Sequence, residues 1–289
     1  MRRSSVVLLL GALAFLPQNA SAAAGQQEVD LKLVLAMDVS GSIDNDELQL
    51  EREGTAEAFA DPEVVQAIQN GSFGRIAVAM VDFSSDPYNK IVAGWHIIHD
   101  RQSALQFSDF VRKIPRSVGH RTSISSALEL GTVMLESSDK DITSSRKVID
   151  VSGDGPNNWG HHMQPVHDRT VANGIVINGL PVMDERANGY FPDLDKYYAA
   201  CVAGGRGSFV IVVRNYRDYS AGMRRKLVLE ISQNGSPAQQ AALAREALLT
   251  RVAAAAGGPN AAPPLLRPGR NEFSDQCDDV TGPFSFGNF

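Results

Sequence analysis

Leu31-Lys32-Leu33-Val34-Leu35-Ala36-Met37-Asp38-Val39-Ser40-Gly41-Ser42 decides the fold. Seven mostly apolar residues read as a buried strand, and the polar stretch Asp44-Asn45-Asp46-Glu47 reads as the start of a helix. Between them, one carboxylate and two hydroxyls alternate along a tight loop that Gly41 allows to turn. Alternation sends those oxygens toward one point at the strand's carboxyl end. Hard oxygen donors there suit Mg2+ or Mn2+. The same residue types also cap helices and fill strand-to-helix loops. The loop alone fits either reading, and the rest of the chain must decide.

Outward from this loop, strand-like and helix-like segments alternate. Arg75–Phe83 and Lys90–Ile98 read as two strands joined by a turn at Asp86-Pro87, a hairpin that makes one edge strand antiparallel. Lys147–Val151, Gly174–Leu180 and Ser208–Val213 read as further strands, the last of these closing the series. Helices are expected over Glu47–Gln69, with a break near Asp61-Pro62, and over Ser103–Ile114, where Pro115 ends the turn. Others are expected after Ile124, over Pro165–Ala172, Leu194–Ala203 and Tyr219–Ile231. Such alternation predicts an α/β fold: a doubly wound, mostly parallel central sheet with helices on both faces and one antiparallel edge strand. Ligands of such sheets sit beyond the carboxyl ends of the strands, at a topological switch point. Asp38 and Asp154 both lie just past strands, so their loops meet if those strands are neighbours.

The 289 residues, 43% hydrophobic and 21% charged, are ordinary for a soluble globular protein. Net charge is −6, and no basic patch with interleaved aromatics occurs, so nucleic acid is not the expected partner. The N-terminus reads as a secretory signal peptide over residues 1–22. Arg2 and Arg3 form its charged region, and Val6–Leu16 its apolar stretch, too short to span a bilayer. Ala20-Ser21-Ala22 is a small-x-small cleavage site, so a periplasmic or secreted mature chain is expected, with no transmembrane segment left after cleavage near Ala22; an uncleaved anchor is the competing reading. The domain is expected over residues 28–232. Residues 233–289, rich in Ala, Gly and Pro, read as a flexible low-complexity tail. Only Cys201 and Cys277 are present, and the sequence leaves open both a disulfide and two separate thiols.

Three loops offer complementary oxygens: Asp38, Ser40 and Ser42; Thr122 in Gly119-His120-Arg121-Thr122-Ser123-Ile124; and Asp154 in Ser152-Gly153-Asp154-Gly155. Two carboxylates and three hydroxyls, some acting through water, nearly complete an octahedral shell for Mg2+ and leave a position for an incoming acid. The pattern resembles the metal-ion-dependent adhesion site (MIDAS) of von Willebrand factor A domains, with all five positions filled in family order. Across Asp30–Ser232 the chain is more similar still to a bacterial family of that superfamily, domain of unknown function 1194. Val148-Ile149-Asp150-Val151-Ser152-Gly153-Asp154-Gly155-Pro156-Asn157-Asn158, Ile177-Asn178-Gly179-Leu180-Pro181, Tyr197-Tyr198-Ala199-Ala200-Cys201-Val202 and Arg224-Arg225-Lys226-Leu227-Val228-Leu229-Glu230-Ile231 carry that resemblance. It implies a von Willebrand factor A-like, Rossmann-like fold. It implies Mg2+ or Mn2+ held directly by Ser40 and Ser42, by Thr122 directly or through water, and by Asp38 and Asp154 mostly through water. It further implies a partner protein that presents an Asp or Glu to the sixth position.

The expected function is therefore a metal-dependent protein-binding module. A metal-dependent hydrolase, or an accessory subunit for assembly or metal insertion of a larger complex, is the alternative. Rival motifs are weaker. His162 and His167 are five apart, off the spacing that places two ligands on one helix face, and His161, His162 and His167 read as exposed or capping. Val151-Ser152-Gly153 lacks a nucleophile elbow, and no catalytic base stands near the five oxygens. Gly204-Gly205-Arg206-Gly207 lacks the Lys-Ser/Thr of a phosphate loop and reads as a turn. Asp82 reads as a turn or cap residue, with support of a metal ligand as the alternative, Asn157 and Asn158 as the rim of the metal loop, and Trp95 as core or rim.

Overall fold

The computed structural model describes residues 26–85, 88–117, 119–183, 191–232, 264–269 and 277–278. The expected signal peptide, the Asp86-Pro87 turn and most of the expected tail lie outside them. Strands are β1 (Gln27–Glu28), β2 (Leu31–Asp38), β3 (Ile76–Phe83), β4 (Lys90–Ile98), β5 (Ile142–Thr143), β6 (Lys147–Gly153), β7 (Ile175–Pro181), β8 (Val210–Ile211) and β9 (Leu265–Leu266). Helices are α1 (Asn45–Ala60), α2 (Pro62–Gln69), α3 (Arg101–Arg112), α4 (Ile124–Ser137), α5 (Met163–Ala172), α6 (Leu194–Tyr197) and α7 (Tyr219–Ile231).

The main sheet has the order β4-β3-β2-β6-β7-β8-β9, and β1 pairs with β5 in a separate two-stranded piece. β3-β2-β6-β7-β8 run parallel, while β4 is antiparallel on one edge, as the hairpin reading required. The chain leaves β2 for β3 on one side and later returns to β6 on the other, so the switch point lies between β2 and β6. Met37 is in register with Ser152, which sets Asp38 and Asp154 beyond adjacent strand ends.

All eight residues of β2 are buried, because helices cover both faces. Side-chain alternation divides them. Leu31, Leu33, Leu35 and Met37 join the core under α1, α2, α3 and α7, where Phe59 and Phe107 meet edge to face at 4.8 Å. Val34 and Ala36 join the core under α4, α5 and α6. Lys32 faces the second layer at the far end of β2, where its ammonium donates to Leu135 O at 2.7 Å and to Asp139 at 2.6 Å.

Local signals account for the element ends. Asp44 and Glu47 form a reciprocal capping box that starts α1. Asp61 both ends α1 and caps α2 ahead of Pro62, so the expected long helix is two. The segment from Leu194 is α-helical only to Tyr197 and then widens into a π turn over Tyr198–Val202. The strand expected over Ser208–Val213 shrinks to the two residues of β8.

Both described pieces of the expected tail lie on the domain rather than free of it. β9 pairs antiparallel with β8, so β8 is not the last strand. Cys277 is bonded to Cys201 at 2.06 Å and buried in the second core. Asp278 beside it accepts from Met163 N and, at 3.4 Å, from Gln164 N. α5 has no capping side chain at its own N-cap His162, so Asp278 caps it from across the fold.

Candidate metal centre

Asp38 ends β2 and is fully buried; Ser40, Thr122 and Asp154 are buried too, and Ser42 is exposed. The five side chains form one connected group. Asp38 Oδ1 accepts from Ser40 N at 2.8 Å, in the Asx turn that swings the loop around. Ser40 Oγ and Ser42 Oγ are 3.1 Å apart, and Ser42 Oγ donates to Asp154 Oδ1 at 2.7 Å. The Thr122 hydroxyl reaches the Asp38 carboxylate. The structure thus brings together all five residues that the sequence pointed to, across three loops and two adjacent strands.

Neighbouring groups hold the loops at this spacing. Gly41 N donates to His120 O at 3.0 Å and Gly119 N to Val39 O at 2.9 Å, zipping the first loop to the second. A side chain at Gly119 would meet Ser84 Oγ at 2.0 Å, and Ser84 itself donates to Arg121 O at 2.6 Å. Thr122 and Asn158 are paired twice, each at 2.9 Å, by Asn158 N to Thr122 O and by Thr122 N to Asn158 Oδ1. Asn157 Oδ1 accepts from Ser125 N at 3.0 Å, and Asn157 N donates to Tyr197 OH at 3.2 Å. Asn157 and Asn158 therefore tie the Asp154 loop to the Thr122 loop, a larger part than lining a rim. Close approach also needs Gly153, whose absent Cβ would stand 2.8 Å from Asp38 Oδ2 and 3.1 Å from Tyr198 OH.

Electrostatics mark the same point. Burial, and then the nearby Asp154 charge, hold the Asp38 carboxyl well above the usual carboxylate range, against the opposing hydrogen bonds of Ser40 and Thr122. Asp38 Oδ2 is buried with no hydrogen-bond partner among the described residues. A divalent cation among these oxygens reverses that balance by favouring the charged forms. Among the described residues no three His, Cys, Asp or Glu side chains cluster to hold a metal, so the donor set here is two carboxylates with hydroxyls. That chemistry fits a hard cation and not a soft one.

The inner face of α1 carries groups that the sequence reading passed over. Glu51 is fully buried with both carboxylate oxygens unpartnered among the described residues, and burial raises it well above the usual range. Tyr198 OH and Tyr216 OH are also buried without partners among those residues, and both sense the charges of Asp38, Asp154 and Glu51. Arg52 pairs with Asp82, so Asp82 is a buried ion-pair partner and neither a turn nor a cap residue. A signal was available: Glu47, Glu51 and Arg52 occupy the stripe of α1 that also holds Leu48, Ala56 and Phe59. Charges on a buried stripe are rarely neutral packing choices.

The rival motifs sit apart. His161 is exposed and contacts Glu129 at 2.9 Å, and His162 is exposed near Asp278. His167 is 3.0 Å from Asp168. Ser152 Oγ accepts from Tyr219 OH at 3.2 Å inside the fold. Gly205 and Gly207 have φ of +89° and +83°, as a turn requires.

Residues 28–235 match the family described as "Protein of unknown function (DUF1194)". The chain belongs to that family. No curated protein matches this DUF1194 chain. Among solved structures, the pilus adhesin SpaC from Lactobacillus rhamnosus GG superimposes with a TM-score of 0.52 at 13% identity, covering 73% of this chain and 32% of that one. Proximal thread matrix protein 1 from the mussel byssus, in a structure titled with a zinc-occupied MIDAS motif, gives 0.49 at 16% identity, covering 72% and 49%. A von Willebrand factor type A protein from Catenulispora acidiphila gives 0.45 at 13% identity, covering 69% and 42%. The DUF1194 chain spans less than half the length of each of these three proteins. At such identities the likeness is one of fold: a mostly parallel central sheet with helices on both faces, as the α/β reading expected, with antiparallel pairs at both edges, β3–β4 and β8–β9.

Proposed function

We propose that this chain is a secreted or periplasmic protein-binding module that captures an acidic residue of a partner protein through Mg2+ or Mn2+. Ser40 and Ser42 hold the ion directly and Thr122 directly or through water. Asp38 and Asp154 hold it mostly through ordered water. When bound, the ion supplies a fixed positive charge with a position open to a partner Asp or Glu. The observation that carries the reading is the buried, unpartnered Asp38 Oδ2 beside an unbroken run of oxygens from Ser40 through Ser42 to Asp154. An uncompensated carboxylate in such a place is expensive unless a cation joins it. Ser42 alone is exposed, so the group opens to solvent where a partner would arrive.

Support for a binding module over an enzyme comes from the same side chains. Both carboxylates are engaged in holding the first loop, Asp38 through the Ser40 backbone N–H and Asp154 through the Ser42 hydroxyl, and Ser152 lies buried against Tyr219. Among the described residues no helix is long and apolar enough to cross a membrane.

Calorimetric titration tests the metal. Ser40→Ala and Asp154→Ala are expected to weaken Mg2+ binding at least tenfold, as loss of a ligand or of a ligand's partner does, with the fold retained. At a hundredfold excess over Kd, Mg2+ should stabilise the wild type by about 2.7 kcal/mol and do little for either variant. Capture of a partner from a periplasmic extract should require Mg2+ and be lost in EDTA. Absence of Mg2+ and Mn2+ binding at millimolar concentration would sink the proposal.

A further inference from the structure

Arg121 and Trp159 stand together at the rim of the metal site. Arg121 immediately precedes Thr122, and Trp159 follows Asn158, whose two hydrogen bonds to Thr122 lock the loops side by side. The guanidinium lies over the indole at 5.3 Å. Trp159 is nevertheless 46% exposed, an unusual state for the residue type that gains most from burial. Its presentation is built into the backbone. Gly160 takes φ +85°, and a side chain there would meet Ser123 Oγ at 2.4 Å, so the chain must turn directly after the indole. Arg121 is exposed and has no carboxylate partner among the described residues. His120, also exposed, packs edge to face on Tyr88 at 5.3 Å.

The end of the first loop carries the opposite sign of charge. Exposed Asp44 and Asp46 open α1 directly after Ser42. A ligand reaching the metal is thus repelled on the α1 side and attracted on the Arg121 side, in a chain whose net charge is −6. Arg121 lies over the Trp159 ring, and its exposed guanidinium carries the N–H donors that suit a carboxylate.

We propose that Arg121 and Trp159 form a second contact for an extended peptide bearing two acidic residues, one reaching the metal and the other the Arg121 guanidinium. This rests on the metal-binding reading above and adds the specificity that a single metal-bound carboxylate lacks. Arg121 selects the second acid, and Trp159 packs against the peptide between the two acids.

The test uses synthetic Gly/Ser peptides containing no Asp, one Asp, or two Asp at graded spacings, with the mature protein in millimolar Mg2+. Trp159 is one of only two tryptophans, so indole fluorescence reports binding at the rim directly. A two-Asp peptide should bind about tenfold tighter than the one-Asp peptide, the scale of one charge-assisted contact. Arg121→Gln should reduce the two-Asp peptide to the one-Asp level while the Mg2+ affinity measured by calorimetry stays unchanged. Trp159→Ala should weaken both acidic peptides. Equal binding of one-Asp and two-Asp peptides, or an Arg121→Gln variant that still prefers two acids, overturns the inference. So does preferential binding of an acidic oligosaccharide such as oligogalacturonate, which would assign Trp159 to sugar stacking. Measurable Mg2+ binding with no peptide binding overturns this inference alone. Failure of Mg2+ to bind at all removes the metal reading beneath it.

Discussion

Glu230→Gln is expected to flatten the pH dependence of stability. Glu230 is fully buried near the end of α7. Its Oε1 accepts from Asn178 Nδ2 at 2.8 Å, and Lys226 Nζ lies 3.7 Å from Oε2 while pairing with Asp150 on β6. Arg146 donates to the Glu230 backbone carbonyl at 2.5 Å. Burial, then the charge of Asp150, push the Glu230 carboxyl from its ordinary 4.5 up to about 8, against Lys226 and Arg146. The folded state therefore keeps a proton that the unfolded chain has released. A group raised in this way contributes fully below about pH 4.5, and its contribution is lost as pH rises through about 8. At about 1.4 kcal/mol per pH unit, the interval amounts to at most about 5 kcal/mol, less where water enters the cluster as Glu230 ionises. Glutamine keeps an acceptor for Asn178 and titrates in neither state. Urea unfolding of wild type and variant at several pH values between 5 and 8, with the disulfide intact and EDTA present throughout, isolates the effect. The variant should gain on the wild type steadily as pH rises. A difference that stays constant over this range would show that Glu230 is ionised in the folded protein and held by Lys226, and the reasoning would fail.

Other substitutions probe the site and its supports. Gly153→Ala should weaken Mg2+ binding about tenfold or more, because its Cβ would press on Asp38 at 2.8 Å; Gly155→Ala, 3.4 Å from Thr122 Oγ1, should change it about twofold at most. Calorimetry on the pair decides, and equal losses would refute the close-approach argument. Cys277→Ser opens a cross-link between residues 76 apart and should lower unfolding free energy by up to about 4 kcal/mol in urea melts. An unchanged midpoint would show that the Cys277 and Asp278 contacts contribute nothing. Glu51→Gln should stabilise the protein at neutral pH, since burial keeps Glu51 protonated in the fold well above the usual range and the unfolded chain does not. That gain should shrink toward acid pH, and a gain that grows instead would contradict it.

The sheet was legible because its strands advertise themselves. β2 and β3 are continuous apolar runs, which only a parallel strand covered on both faces needs. The hairpin edge was readable from the short connection between β3 and β4, and Asp61-Pro62 marked the break between α1 and α2. The parts that stayed hidden depend on long-range partners. A two-residue strand such as β9 has no period to detect, and it forms only because β8 leaves an open edge. The π turn at Tyr198–Val202 follows a helical pattern in sequence and departs from it only in packing. Asp278 reads as one more acid in a polar tail until the Cys201–Cys277 bridge sets it at the start of α5.

Buried polarity is distributed unevenly, and the distribution separates function from stability. Lys32, at the far end of β2, is met by Asp139 and by two backbone carbonyls. Lys226, beneath the middle of β6 and β7, is met by Asp150 and Glu230. Both lysines have opposite charges beside them within the fold, although Lys226 Nζ, both Asp150 oxygens and Glu230 Oε2 make no hydrogen bond to one another among the described residues. At the carboxyl end of β2, Asp38 Oδ2, both oxygens of Glu51, Tyr198 OH and Tyr216 OH are buried without partners among the described residues. Each such group costs about 1–3 kcal/mol when left unsatisfied, and among the described residues no cation stands beside Asp38 as Lys226 stands beside Asp150 and Glu230. The groups at the end of β2 collect where three loops converge and where Ser42 opens to solvent. On the proposed reading the missing partners arrive from outside the chain: a cation for the carboxylates, with the water it orders, and an acid for the cation.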